Sequence, residues 1–198
     1  MKKILFILAL IAVNAANAQK GSILVMGNFT YQSQNTTNSG LEDKANYFGF
    51  SPKVGYQFHE NWTIGIGAEF SSSKQEYMNN AEYKTNTYAV GGFLRYSKPL
   101  NQTFSAYADL GAGYQNRKER RSNSDVPFDY TNKGNGFYIA VTPAILINVG
   151  NGFGLNFNIG GLGYSSINYD GDNGDIDSDK NFNFTFGQGF SFGISKNF

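Results

Sequence analysis

Cysteine is absent from the 198-residue chain. Its absence excludes disulfides, thiolate chemistry, cysteine metal sites and a lipid-modified cysteine. Histidine and tryptophan occur once each, as His59 and Trp62, and there are only 4 prolines. Charge of one sign is also lacking: 16 basic residues stand against 15 acidic ones, a formal net charge of +1. So balanced a chain gives no electrostatic case for nucleic acid or for an acidic substrate. Beyond the first residues, no apolar run approaches the length of a transmembrane helix.

The N-terminus differs from the rest. Lys2 and Lys3 precede an apolar run from Ile4 to Val13, and Ala16-Asn17-Ala18 follows it. A positive start, a short apolar core and a small-x-small site read as a secretory signal peptide, residues 1–18. The alternative, a membrane anchor, would need a longer run. Cleavage after Ala18 would leave residues 19–198 as one exported domain.

Glycine is abundant, with 24 residues, alongside 18 phenylalanines and 13 tyrosines. A glycine- and aromatic-rich, proline-poor chain favours strands. Period-2 alternation marks eight of them: 21–31, 47–58, 62–70, 87–96, 104–114, 136–148, 153–165 and 182–198. In the last, Phe182, Phe184, Phe186, Phe190, Phe192, Ile194 and Phe198 share one parity, while asparagine, threonine, glycine and serine hold the other. Gln188 and Lys196 interrupt the greasy row, though a lysine near a strand end can snorkel to headgroups. The phase blurs at Gly160-Gly161, which predicts a bulge. Pro52 and Pro143 each remove a ladder donor and are expected at a bulge or bend.

Connections alternate in length. Residues 59–61, 98–103 and 149–152 are short, whereas 32–45, 71–86, 115–135 and 168–181 are long and polar. Such asymmetry predicts an all-β, transmembrane antiparallel up-and-down β-barrel of eight strands in a bacterial outer membrane, short turns in the periplasm. A soluble barrel of lipocalin type would turn the bulky rows inward, and eight strands leave too little interior for them. Turned outward, those rows meet lipid, and closed pairing satisfies every backbone group. Aromatics near both strand ends fit interfacial girdles.

The stretch "FSPKVGYQFHENWTIGIG", the later "GGFLRY" and the terminal "SKNF" resemble the outer-membrane β-barrel domain family, small porin-family proteins similar to the membrane domain of outer-membrane protein A. The resemblance covers 19–198. It implies insertion by the barrel-assembly machinery, which would read the terminal Phe198, and contact with outer-membrane lipid and lipopolysaccharide, as a monomer. No peptidoglycan-binding domain is expected after the barrel, so that family role is not carried over.

Three groups of residues bear on chemistry. Lys53, Glu69, Arg95 and Asp109 fall on lumen parity, with Arg95 and Asp109 expected as diagonal neighbours across a short turn. A paired network plugging a narrow lumen is the expectation, an ion path or gate the alternative. His59 sits in a short turn beside Glu60, on the wrong side for outer-leaflet lipid chemistry, so no enzyme and no catalytic residue is expected. Two charge runs lie in the long connections: the basic Asn116–Arg121 and the acidic Asp170–Asp179. The acidic run lacks EF-hand spacing, so a calcium site is the lesser reading and no cofactor or metal is expected. The basic run could meet lipopolysaccharide phosphates or attract the acidic run. Together these features predict a structural or surface-interaction role, with a narrow pore or conduit for small solutes or hydrophobic molecules as the alternative.

Overall fold

The computed structural model describes residues 21–38, 41–77, 81–125, 128–170 and 176–198. The expected signal peptide lies outside them, as do the side chains of Gln188 and Phe190. Eight strands close a barrel in chain order, every neighbour antiparallel: β1 (Ile23–Asn38), β2 (Leu41–His59), β3 (Trp62–Glu76), β4 (Ala81–Pro99), β5 (Phe104–Asn123), β6 (Phe128–Gly150), β7 (Phe153–Asp170) and β8 (Ile176–Asn197).

The bulky rows point outward. Ile64 is 54% exposed, Ile66 69% and Phe184 70%, while the opposite parity holds the buried Leu24, Met26, Phe93 and Tyr107. A continuous apolar band on the outside of a closed sheet has hydrocarbon as its natural solvent. Aromatic pairs lie near both ends of the band. Trp62 and Tyr96 stand 4.9 Å apart at the short-turn end, and Phe70 and Tyr88, 5.9 Å apart, at the other. Lys196, on the outward parity, turns its Nζ to the Asn151 carbonyl at 2.6 Å and lies 3.9 Å from the centre of the Phe153 ring. It therefore snorkels, as expected.

One short turn has a clear local cause. Gly150 pairs with Phe153, and Asn151 and Gly152 between them have φ of 50° and 76°. Positive φ at both central residues is the two-residue hairpin geometry that matches strand twist, and Asn-Gly adopts it at little cost. A side chain at Gly152 would also strike the Asn197 carbonyl, with Cβ only 2.2 Å away.

The long connections are mostly strand, which corrects the sequence reading. β5 and β6 pair without a break from Phe104↔Ile147 to Asn123↔Phe128, so the basic run Asn116–Arg121 lies in β5 and not in a loop. Beyond the membrane most positions on both faces of the wall meet water, Ile167 and Tyr169, packed over Gly134, being exceptions. Little there selects apolar residues at alternate positions, so extended chain held by ladder hydrogen bonds looks like loop in sequence.

The bulge at Gly160 is present. Register moves from Val141↔Leu162 to Ala144↔Asn158, Gly160 has φ 127°, and Pro143 falls inside the irregularity. Beyond the bulge the phase of β7 reverses: Leu162 faces out, and Ile167 and Tyr169 are buried. Pro52 differs from the expectation. It pairs with Gly27 and causes no register shift, although β2 and β3 lose their bridge between Phe50↔Phe70 and Lys53↔Gly67. β8 holds an irregularity that the unbroken alternation of 182–198 concealed: between Asn158↔Ser191 and Gly160↔Phe186 it takes five steps while β7 takes two. The closing seam, β1 with β8, runs only from Leu24↔Asn197 to Phe29↔Phe192.

Candidate functional site

Adjacent strands of the barrel bring three of the four expected lumen charges together. Arg95 on β4 lies directly opposite Asp109 on β5, not diagonal to it, because the short β4–β5 turn fixes that register. Its Nε donates to Asp109 Oδ1 at 2.6 Å and its Nη2 to Oδ2 at 2.9 Å. Lys53 on β2 reaches across the lumen and gives Nζ to the same Oδ2 at 2.6 Å. Arg95 and Asp109 are only 4% and 3% exposed. Burial of that depth is tolerable for charges when each is paired and hydrogen-bonded, as these are.

Glu69 stands apart. It forms no hydrogen bond or ion pair among the described residues and is exposed. Its strand neighbour Gly67 pairs with Lys53, which puts Glu69 one rung farther from the short-turn end. Lys53 gives its hydrogen bond to Asp109 and acts on Glu69 only through longer-range attraction. The cluster therefore has three members, not the four expected.

Apolar groups complete the plug. The Arg95 guanidinium lies 3.8 Å from the centre of the Tyr107 ring and 5.8 Å from that of Phe93, and Lys53 Nζ lies 5.3 Å from Phe93. Such stacking places cations over aromatic faces away from water. Phe93 lies across the paired glycines Gly55 and Gly65, where added Cβ atoms would come within 3.0 Å and 2.7 Å of its ring. Met26, Leu24 and Ala144 fill in around it, with Leu146 packed against them. Nearer β8, Asn156, wholly buried, donates Nδ2 to Ser195 Oγ at 2.9 Å. Bulky residues on the small-residue parity, Phe93 and Tyr107 above all, are the signal by which sequence could have located this plug. Met26, Asn156 and Ser195 gave none.

Below the plug a cavity of about 680 Å³ opens at the short-turn end, floored by Arg95, Thr63, Leu24 and Ser195. Asp109 accepts three hydrogen bonds from the two cations, one on Oδ1 and two on Oδ2. His59 ends β2 at the rim, exposed, its Nδ1 accepting from the Asn61 amide at 3.4 Å.

A second polar layer occupies the projecting half. Arg117 Nη1 meets Asp179 Oδ2 at 3.2 Å, joining the basic run to the acidic one. Arg120 makes two hydrogen bonds to Asp129, at 2.9 and 2.6 Å, and Arg121 lies 5.0 Å from the centre of the Tyr83 ring. Arg120 holds the Asp129 carboxyl below its ordinary range. Tyr169 donates its hydroxyl to Glu119 at 2.8 Å; its pKa is pushed up to about 12, first by burial and then by that bond. Residues 171–175 of the acidic run, and with them the core of the calcium reading, lie outside the described residues. Among the described residues no group of three or more metal-ligating side chains gathers.

Comparison with known proteins agrees with this architecture. A major outer membrane protein from Thermus thermophilus shares the fold with a TM-score of 0.58 at 11% identity, over 90% of this chain and 99% of that one. The outer membrane protein OprG from Pseudomonas aeruginosa does so with a TM-score of 0.53 at 14% identity, over 93% of this chain and 99% of that one. No curated protein sequence matches. The family model for the outer membrane protein beta-barrel domain matches residues 4–190, and the chain belongs to that family.

Proposed function

We propose that this outer-membrane barrel is a closed anchor that presents its projecting hairpins for contact at the cell surface. One observation carries the reading: the lumen is filled by Lys53, Arg95 and Asp109 together with Phe93, Tyr107 and Met26. A barrel of eight strands has room for side chains and little else, and here those side chains are cross-linked by charge. The chain acts by display, without catalysis.

Export by the 1–18 signal peptide, insertion by the barrel-assembly machinery and a monomeric state belong to the same reading. It is supported by Ile23 and Phe198, which lie together at the short-turn end and exchange backbone hydrogen bonds of 3.1 and 3.0 Å. That end then faces the periplasm and the projecting hairpins face outward, among lipopolysaccharide. Single-channel recording in planar bilayers tests the closed lumen. The expected result is a silent bilayer at any protein density; regular conductance steps would instead favour a narrow pore that uses the cavity below the plug.

A further inference from the structure

Above the outer aromatic girdle, the outward positions of five consecutive strands repeat one order. Four residues beyond the girdle aromatic there is always a lysine: Phe48 and Lys44 on β2, Phe70 and Lys74 on β3, Tyr88 and Lys84 on β4, Tyr114 and Lys118 on β5, Phe137 and Lys133 on β6. An even offset keeps each lysine on the lipid-facing side of its strand. Four residues of strand carry it roughly 13 Å along the wall. Midway stand Asn46, Ser72, Asn86, Asn116 and Asn135, all short hydrogen-bonding side chains. Seen from the membrane, the wall thus offers aromatic rings, then amides and a hydroxyl, then ammonium groups.

Sheet physics does not account for the lysines. Lys74 lies directly opposite Lys84, and Lys118 directly opposite Lys133. Like charges in direct cross-strand register destabilise a sheet. Lys74 is balanced by Glu76 and Glu82, at 2.5 and 3.0 Å. Lys84, Lys118 and Lys133 are exposed and carry no hydrogen bond or ion pair among the described residues. Three cations held side by side without hydrogen-bonded partners, Lys118 with the charge of Asp129 nearby but unbonded, stand on the face that looks along the membrane and form a site that an anion would complete.

We infer that this lysine belt on β2–β6 binds the anionic saccharide headgroup of an outer-leaflet glycolipid, its phosphate and carboxylate groups seated on Lys84, Lys118 and Lys133. The acyl chains lie against the aromatic rows, the sugar hydroxyls meet the asparagine and serine layer, and the anions meet ammonium. A free phosphate ion would satisfy the last layer only. The stacking of all three layers in register is what selects an anchored amphiphile. The inference rests on the outward orientation of the projecting hairpins proposed above.

Binding of a diphosphorylated lipid A–core glycolipid to the mature barrel in neutral detergent tests it, with the same glycolipid after enzymatic dephosphorylation as the comparison. The triple variant Lys84→Gln, Lys118→Gln, Lys133→Gln is expected to weaken binding on the order of 100-fold, three lysines each contributing the usual attraction of a juxtamembrane cation. Lys→Arg at the same positions restores it, and Lys98→Gln at the short-turn end leaves it unchanged. Dephosphorylation weakens binding to the wild-type protein and has little further effect on the glutamine variant. Wild-type affinity in the glutamine variant, or equal affinity for the two glycolipids, overturns the inference. A heat-dependent gel shift checks that each variant is a folded barrel. Protease access to the Lys118–Lys133 hairpin in intact cells reports orientation separately; protection there would sink the orientation, whatever the binding result.

Discussion

The membrane-level half of the barrel and its projecting half are built from the same ladder, yet they differ in what holds their side chains in place. At membrane level the two faces of every strand see different surroundings, hydrocarbon outside and a packed plug inside. Ile66 and Phe184 are outward there, and Arg95, Asp109 and Asn156 are sealed inward. In the projecting half most of both faces meets water, apart from the buried Ile167 and Tyr169, and polar pairs such as Arg120 with Asp129 lie open to it. Equivalent contacts therefore have unequal worth: an ion pair in the plug is shielded from water, whereas one on the hairpins competes with it.

The comparison breaks most visibly at Asp109. Asp109→Ala leaves Arg95 and Lys53 facing each other, buried and without a counter-ion, and should cost about 3–5 kcal/mol of unfolding free energy in detergent. An unchanged urea midpoint would mean that the plug is hydrated. Arginine on the outer face comes next. Ile66→Arg should cost about 2–4 kcal/mol in a bilayer, while Ser72→Arg, just past the girdle residue Phe70 on the same strand, should cost no more than about 1 kcal/mol. Equal costs at the two positions would erase the boundary between the halves.

Gly65→Ala sharpens the account of the lumen. Its Cβ would lie 2.2 Å from the Val54 carbonyl and 2.7 Å from Phe93, neither able to retreat far. Overpacking of this kind costs about 1–3 kcal/mol, and the additional substitution Phe93→Leu should recover part of it. A double-mutant cycle on Arg117 and Asp179, both partly exposed, should give a coupling of only about 0.2–1 kcal/mol. Its more sensitive readout is hydrogen exchange in 176–181, which should quicken when Arg117 is reversed to Glu.

The smallest effect is a pH dependence at the hairpins. Arg120 depresses the Asp129 pKa, so the pair's contribution is complete above the unfolded carboxylate value, about 3.9, and is lost as pH falls through the depressed folded value. Lys74 runs the other way. Glu76 and Glu82 raise its pKa, and its contribution is complete below the unfolded lysine value, about 10.4, and is lost as pH rises through the folded one. Carboxyl NMR should place the Asp129 midpoint below about 3.9 and return it toward that reference value in Arg120→Gln. No movement on that substitution would mean that the pair does not form in solution.

The sequence by itself determined the strand number, the lipid-facing parity and the bulge at Gly160, because hydrocarbon on one side of a strand leaves a mark at every second residue. It also placed Lys53, Arg95 and Asp109 in the lumen, and the spacing of lysines from girdle aromatics can be read in stretches such as "KTNTY" and "YQNRK". It did not determine where the wall ends, because a strand wetted on both faces carries no period. Nor could it separate Glu69 from the other lumen charges. Parity assigns a side chain to the lumen but not to a height within it; height follows from register around the closed ring. Only that register put Arg95 opposite Asp109 and sent Lys53 across to the same carboxylate, leaving Glu69 one rung away.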